Sequence, residues 1–385
     1  MYMKSRALLL CFTLLISLLL AEDNNTTIDV GKSLKEGSFK IVPLVSSNPT
    51  SGTGAGGSIS YLYQLDPNSS PSQLLGGAQY TNTKSYSAFA KNDAYLYNDH
   101  LRSTTVFSYV HNKSQFDVDP GMDFGVGATG TYPNTDEGVQ YNVDIIFIAE
   151  LLVYEFQKHL FAGGHIFYVN MTFSEGNELG NIFLENNGAS DANRATIGLD
   201  FAYDTRNKEE KYFPRDAEWI LFQANYSPTF LGSDESYSSA VINARIYRPG
   251  FYEEDVWASQ FYGFYTTENT PDGALGALGS RKILRGFPIG KYKARYLSAA
   301  QTEYRYQIAD TKYRAVAFLG GAQLAGGSKG DGAGNNRDED NGFYYSGGAG
   351  LRYAIQKKAG VDMHLDVAAN NDGEISIYVG INQAF

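Results

Sequence analysis

The chain has 385 residues, a formal net charge of −11 and a single cysteine. The acidic balance argues against nucleic-acid binding, which needs a basic surface, and one cysteine argues against a disulfide-stapled fold. The 29 tyrosines, 23 phenylalanines and 41 glycines fit a curved β-sheet with aromatic side chains at its edges, as in a membrane-spanning β-barrel.

The amino terminus has the pattern of a secretory signal peptide. Two basic residues precede an apolar run from Ala7 to Leu20, and the small residue Ala21 follows at a suitable cleavage point. The run has about fourteen residues, whereas a membrane-spanning helix needs roughly twenty. An uncleaved anchor is the alternative. The predicted organisation is a signal peptide at 1–21, a short periplasmic linker at 22–37 and an outer-membrane β-barrel at 38–385.

Beyond this segment, apolar residues recur at every second position in short runs, which is the period of a β-strand with two different faces. About sixteen runs can be distinguished, and single-chain bacterial barrels have an even number of strands. The predicted strands are 38–45, 53–64, 74–83, 86–97, 101–111, 138–156, 159–173, 193–205, 216–228, 237–249, 254–266, 296–308, 312–324, 343–356, 360–369 and 374–385.

Connection lengths alternate along these predicted strands. Long gaps at 112–137, 174–192, 267–295 and 325–342 follow odd-numbered strands, and tight turns follow even-numbered ones, with the longer turn at 206–215 as the exception. Outer-membrane barrels have long external loops and short periplasmic turns. The sequence therefore predicts an all-β fold, a transmembrane antiparallel up-and-down β-barrel.

Several predicted strands separate charged from apolar residues. In 360–369 the apolar residues alternate with Asp362 and Asp366, which predicts one face toward lipid and one toward the lumen. A charge facing lipid at mid-membrane costs roughly 2–4 kcal/mol for Arg or Lys. The sixth predicted strand is less regular, and we expect its acidic residues Asp144 and Glu150 to face the lumen.

The last predicted strand alternates and ends on an aromatic residue. Small or polar residues lie between the apolar ones, with Tyr378 as the exception. Such a strand resembles the carboxyl-terminal signal of bacterial outer-membrane barrels, although soluble edge strands also alternate. The apolar positions of this signal are Ile375, Ile377, Val379, Ile381 and Phe385.

Two motifs carry a resemblance to a known family. They are Leu284-Arg285-Gly286-Phe287, in the sixth predicted external loop, and Tyr203-Asp204-Thr205-Arg206, followed by Tyr212-Phe213-Pro214-Arg215. Together with Thr302-Glu303-Tyr304-Arg305 in the next strand, they resemble the BamA/TamA-type bacterial surface antigen family of outer-membrane barrels. The resemblance extends from about residue 39 to the end of the chain.

In that family the sixth loop folds back into the lumen, and its arginine contacts acidic residues of the barrel wall. The resemblance implies that Arg285 reaches Glu303, which shares a strand face with Arg305. The family usually has a second acid on the following strand, where this chain has none. The Arg285 network is therefore expected to be thinner or to include Asp362 or Asp366. An ordinary lumen pair between Glu303 and Arg305 is the alternative.

The resemblance implies a function in outer-membrane protein insertion, assembly or translocation, with a passive pore or structural barrel as the alternative. Family members that insert or secrete proteins carry periplasmic repeat domains of dozens of residues each. The predicted linker is too short for one, so we expect a barrel-only member. The expected partners are outer-membrane lipid and other outer-membrane or periplasmic proteins, and not nucleic acid.

Residue patterns typical of enzymes are missing from the sequence. The five histidines have no metal-ligand spacing, and the glycine-rich stretch 52–57 opens a predicted strand where a dinucleotide fingerprint would open a helix. We therefore expect no catalytic residues, no metal and no cofactor.

Overall fold

The computed structural model describes residues 39–48, 52–65, 67–70, 72–116, 139–181, 191–206, 213–271, 274–279, 282–287, 292–326, 341–356, 361–381 and 385. Regular structure in these ranges is almost entirely β-strand. None of the helical turns in them has the length and apolar character required to cross a membrane.

The period-two runs of the sequence form strands, as their alternation of apolar with small or polar residues predicts. The strands are β1 (Phe39–Asn48), β2 (Gly52–Tyr63), β3 (Ser72–Thr81), β4 (Tyr86–Leu96), β5 (Leu101–Phe116), β6 (Val139–Gln157), β7 (Leu160–Glu175), β8 (Ala192–Asp204), β9 (Ala217–Ser227), β10 (Tyr237–Pro249), β11 (Val256–Thr266), β12 (Gly276–Ala277), β13 (Lys293–Ala294), β14 (Tyr296–Gln307), β15 (Tyr313–Ala325), β16 (Gly342–Gln356), β17 (Val361–Asn370) and β18 (Ile375–Ile381).

All strands except β12 and β13 form one closed antiparallel barrel, in which each strand pairs with its neighbours in chain order. β12 and β13 pair with each other inside the long connection from β11 to β14, and they were not predicted. The barrel closes between β1 and β18, which share one paired position among the described residues, Ser47 opposite Val379. The predicted antiparallel up-and-down barrel is confirmed, and each barrel strand overlaps a predicted range.

Long connections and tight turns lie at opposite ends of the barrel. We call them the loop end, which carries the connections β5–β6, β7–β8, β11–β14 and β15–β16, and the turn end, which carries β4–β5, β6–β7 and β14–β15. The predicted sorting holds for these connections. The four-residue connection between β3 and β4 lies at the loop end, and the longer connection between β8 and β9 lies at the turn end.

The wall from β14 to β18 has the predicted two faces. Leu351 in β16 and Leu365 in β17 point outward with 53% and 45% of their surface exposed, whereas Arg352 and Asp366 beside them are buried in the lumen. Successive side chains of a strand point to opposite faces. The pairs Leu351–Arg352 and Leu365–Asp366 therefore show that the outer face of these strands is apolar and the lumen face charged.

The expectation that Asp144 and Glu150 face the lumen is wrong. Both share a face of β6 with the exposed residues Ile148 and Leu152, and residues separated by an even number lie on the same face of a strand. β6 has apolar residues on both faces, including the buried Ile145 on its lumen side, so its pattern does not indicate which face contacts lipid.

The carboxyl-terminal signal is only partly an outward-facing row. Ile375 and Ile377 are exposed on the outer face, as predicted, and the side chains of Val379 and Ile381 lie outside those described. Phe385 does not continue the row, because it is buried among lumen-side residues of β9–β11.

Candidate functional site: a loop segment inside the lumen

A short piece of the connection between β11 and β14 lies inside the barrel, and we call residues 282–287 the inner segment. Leu284 and Gly286 have positive φ angles of 53° and 107°, which turn the backbone sharply at both positions. The turns place Leu284 and Phe287 in a buried cluster with Tyr344 and apolar residues of β14 and β15. Glycine suits Gly286 because side-chain-bearing residues are strained at such φ angles.

Arg285 extends from the inner segment to the barrel wall. Its Nη2 donates to Glu303 Oε2 at 2.7 Å, and its Nη1 donates to Asp366 Oδ2 at 2.9 Å. All three side chains have 0% exposure. A buried guanidinium needs carboxylate partners because burying an unpaired charge costs several kcal/mol. Since β14 and β17 supply the two acids, one side chain joins the inner segment to two separate parts of the wall.

An aromatic ring lies on the next strand, where the resemblance implies a second acid and the sequence has none. The ring of Phe318 in β15 lies beneath the guanidinium, with its centroid 3.4 Å from Arg285 Cζ. A ring face attracts a cation through its quadrupole without forming a hydrogen bond. The Nε atom of Arg285 has no hydrogen-bond partner among the described residues. Phe318 therefore stabilises the positive charge of Arg285 but provides no hydrogen-bond acceptor for its Nε atom.

Two further arginines share the same acids. Arg305 Nε donates to Glu303 Oε1 at 2.8 Å, so Glu303 binds Arg285 and Arg305 together. Arg352 donates to both oxygens of Asp366, with an Nη2–Oδ2 distance of 3.2 Å. The two interpretations of Glu303 offered by the sequence are thus both present in one network.

The backbone of Gly286 is held by the last two strands. Its N–H donates to the Tyr378 hydroxyl at 2.8 Å, and its carbonyl oxygen accepts from Asn370 Nδ2 at 3.0 Å and Ser376 Oγ at 3.1 Å. A Cβ at Gly286 would lie 3.2 Å from Ser346 Cβ. The backbone therefore approaches the wall more closely than a larger residue would allow.

Asp362 belongs to a neighbouring pair. Arg314 Nη1 donates to its two carboxylate oxygens at 2.7 and 2.6 Å, and Arg314 Nε donates to Gln307 Oε1 at 2.8 Å. The proposed partnership of Asp362 with Arg285 is corrected accordingly: Asp366 supplies the second carboxylate. The two acids lie four residues apart on the same face of β17, so the sequence could not distinguish them.

Neutral polar side chains continue the network across the lumen. Gln301 Nε2 lies 2.6 Å from the carbonyl oxygen of Lys282 and 2.6 Å from Gln260 Oε1. Gln260 Nε2 in turn donates to Asn243 Oδ1 at 2.9 Å. These contacts connect the inner segment to β14, β11 and β10.

The sequence contained weak signals for some of the contacts that were missed. Tyr378 breaks the small-or-polar row of the last strand, and its hydroxyl binds the inner segment. Phe318 gave no signal, because an inward aromatic residue on a barrel strand usually only fills space. Charge pairing and backbone bonds together give this site one evident capacity, which is to hold a loop in a fixed place inside the barrel.

Comparison with solved structures identifies barrels of the same fold. BamA from Haemophilus ducreyi lacking POTRA domains 1–3 is 14% identical, with 96% of this chain and 77% of that chain covered and a TM-score of 0.57. CdiB from Escherichia coli is 12% identical, with 91% of this chain and 64% of that chain covered and a TM-score of 0.65. CdiB from Acinetobacter baumannii is 10% identical, with 91% of this chain and 60% of that chain covered and a TM-score of 0.60.

The chain thus spans less than two thirds of either CdiB chain, and it has the barrel fold that BamA and CdiB share. No family model matches the sequence. No curated protein matches it either.

Proposed function

We propose that this chain is a bacterial outer-membrane barrel of the BamA/TamA-type surface antigen family and that it inserts, assembles or translocates other proteins. The observation that carries the proposal is the inner segment, fixed in the lumen by Arg285 between Glu303 and Asp366. The barrel fold that the chain shares with BamA and CdiB supports it. In this placement the loop end faces outward and the turn end faces the periplasm.

The closure of the barrel suggests a mechanism. β1 and β18 share one paired position among the described residues, whereas β17 and β18 pair from Met363–Ile381 to Ala369–Ile375. Unpaired edge groups template the addition of another strand. Pro43 in β1 has no N–H to donate to such a ladder. The inner segment binds β17 and β18, so it fixes one side of this seam while the other side opens.

A passive pore has less support. Arg285, Glu303 and Asp366 are fully buried in the middle of the lumen, whereas a water-filled channel would leave wall charges solvated. We propose no enzymatic activity for the barrel, since the side chains at the site bind one another and hold a loop.

A reversible lock on the seam tests this proposal. Ser47→Cys with Val379→Cys places two thiols at paired positions, in a Cys11→Ser background. Cα atoms of paired strand positions are about 4.5–5.5 Å apart, which suits a disulfide. Oxidation should stop the variant from restoring other outer-membrane barrels in cells depleted of the wild type, and a reductant should reverse the block.

The matched control is Ser47→Cys with Thr53→Cys, a pair inside the β1–β2 ladder that does not cross the seam. It should complement the depletion in both redox states. A seam lock that leaves all other barrels at normal abundance, combined with a loss of solute uptake on depletion, would favour the pore.

A further inference from the structure

The outer wall of β4–β6 carries a carboxylate in the middle of its apolar band. Glu150 projects outward from β6, between Ile148 and Leu152, and opposite Ile166 of β7. These three apolar side chains are 45–50% exposed. Two outward aromatic positions lie on either side of Glu150: Tyr154, four residues toward the turn end, and Tyr109 of β5, which pairs with Ile146, four residues toward the loop end. Since aromatic girdles mark the two membrane interfaces of a barrel, Glu150 lies at mid-membrane depth in the proposed placement.

Glu150 is part of a polar row on the lipid-facing surface. Ser103 Oγ donates to Glu150 Oε1 at 2.6 Å, and Thr105 Oγ1 donates to Oε2 at 2.5 Å. Asn92 of β4 is paired with Thr105, and the Tyr63 hydroxyl donates to Asn92 Oδ1 at 2.6 Å. The row thus lies on the outer wall of β4–β6, and Tyr63 of β2 reaches it across β3.

This row is costly in lipid alone. Acyl chains offer no hydrogen-bond donor, and a carboxylate has about four acceptor positions, of which the two hydroxyls occupy two. Ionisable groups inside membranes are rare and normally pair with one another or with the backbone. The barrel itself therefore supplies hydrogen-bond donors for about half of the acceptor positions of the Glu150 carboxylate.

We propose that the outer wall of β4–β6 is a docking face for a membrane-spanning segment of a different protein, which presents a basic or amide side chain to Glu150. Charge complementarity selects this occupant. A second copy related by a two-fold axis would bring the same acidic face against itself, and lipid headgroups that carry amines lie at the membrane surface. The inference depends on membrane placement and is independent of protein insertion.

Photocrosslinking in intact cells tests the proposal. Ile166→benzoylphenylalanine places the probe opposite Glu150, and Leu199→benzoylphenylalanine on β8 is the control, since Leu199 is also outward and 59% exposed. The probe at position 166 should capture one other membrane protein, and the control should capture only lipid. Glu150→Leu should lower the captured fraction by about tenfold, the scale of one polar contact between membrane segments. Asp144→Asn, at the rim, should leave it unchanged.

Stability of the isolated barrel distinguishes docking from a purely structural role. In vesicles of phosphatidylcholine without other proteins, Glu150→Leu should unfold at the same urea concentration as the wild type or a higher one. A lower midpoint would show that Glu150 supports the barrel itself and would overturn the proposal. Capture of a second copy of this chain, or of lipid alone, at position 166 would also overturn it.

Discussion

Two walls of this barrel use their inner and outer faces differently. From β14 to β17 the lumen face carries the charged network beside buried apolar residues, and the outer face has no charged residue among its described side chains. From β5 to β7 the lumen face includes the buried apolar residues Val110, Val143 and Ile145, while Glu150 points outward. The alternation has the same period in both walls, so the period alone does not determine which face meets lipid.

Strand length accounts for part of this difference. β6 has 19 residues, whereas a membrane-spanning strand needs about 9–11. In the proposed membrane placement the loop-end half of β6 extends beyond the bilayer, where Asp144 on the outer face binds the Tyr109 hydroxyl and His111 Nδ1. Glu150 lies within the band and is not explained by strand length. The comparison predicts that the β14–β17 wall depends on buried charge pairs more strongly than the β5–β7 wall does.

Loss of the loop arginine should have the largest effect. Arg285→Ala leaves Glu303 and Asp366 buried with one cation fewer, and breaking a buried pair costs about 3–5 kcal/mol. The free energy of unfolding, measured by urea titration in lipid vesicles, should fall by that amount. The control in the other half of the barrel is Asp200→Asn, a buried acid bonded to His165 and Gln223, which should cost about 0.5–1.5 kcal/mol.

A double-mutant cycle sharpens this test. Glu303→Gln should produce a defect similar to that of Arg285→Ala, and the double variant should be little less stable than either single one, because partners in one network are not additive. Additive losses would contradict the pairing. An equal loss from Asp200→Asn, which removes the carboxylate that binds His165 of β7, would remove the distinction between the two walls.

A charge on the lipid face should have the next largest effect. Leu351→Arg places a cation on the outer surface of β16, where it costs about 2–4 kcal/mol. Thr104→Arg on the lumen face of β5 should be tolerated, since Thr104 lies beside the carboxylate of Asp93. We do not place the control on the lumen face of β16 itself, because Ser346 there packs against Gly286 of the inner segment and an arginine would displace that segment. The measurement for both variants is the amount of folded, heat-modifiable barrel recovered from membranes. Equal amounts from Leu351→Arg and Thr104→Arg would contradict the assignment of Leu351 to the outer face and Thr104 to the lumen face.

A smaller effect is expected from the backbone of the inner segment. Gly286→Ala puts a side chain at a φ of 107° and a Cβ 3.2 Å from Ser346, which should cost about 1–3 kcal/mol. Protease sensitivity of the β11–β14 connection in intact cells should increase. Gly232→Ala, at a φ of 104° with open space around it, controls for strain without contact and should leave that sensitivity unchanged.

The smallest effect concerns the ring beneath the guanidinium. Phe318→Leu keeps an apolar side chain but removes the ring face under Arg285, which should cost about 0.5–2 kcal/mol. Phe107→Leu on the outer face of β5 should have almost no effect on the urea midpoint. If the two variants behave alike, the Phe318 ring contributes packing alone.

The sequence was sufficient for those features that depend on local order. Each barrel strand could be placed because alternation is a property of adjacent residues, and the β14–β17 faces followed from the isolation of Asp362 and Asp366 among apolar neighbours. The faces of β6 did not follow, because Ile145 and Ile148 are equally apolar and the assignment depends on strands that pair with them.

The site shows the same division. The resemblance pointed to Arg285 and Glu303. Which acid of β17 joins them depends on the barrel register, which is set by the successive pairings from β14 to β17. The hydrogen bonds of Gly286 with Tyr378 and Asn370 join residues that lie far apart in the sequence, so no local pattern could predict them. The row formed by Asn92, Thr105 and Glu150 likewise appears only when three strands are placed side by side.

The bonds of the inner segment also set an order of events in time. Arg285 meets Glu303 across 18 residues of chain, whereas its bond to Asp366 spans 81 residues and the bond from Gly286 to Tyr378 spans 92. Contacts between distant parts of a chain form late, because a large loop must be closed first. The inner segment can therefore dock fully only after β17 and β18 have joined the sheet. A fully docked inner segment would therefore mark a barrel in which all strands have been added.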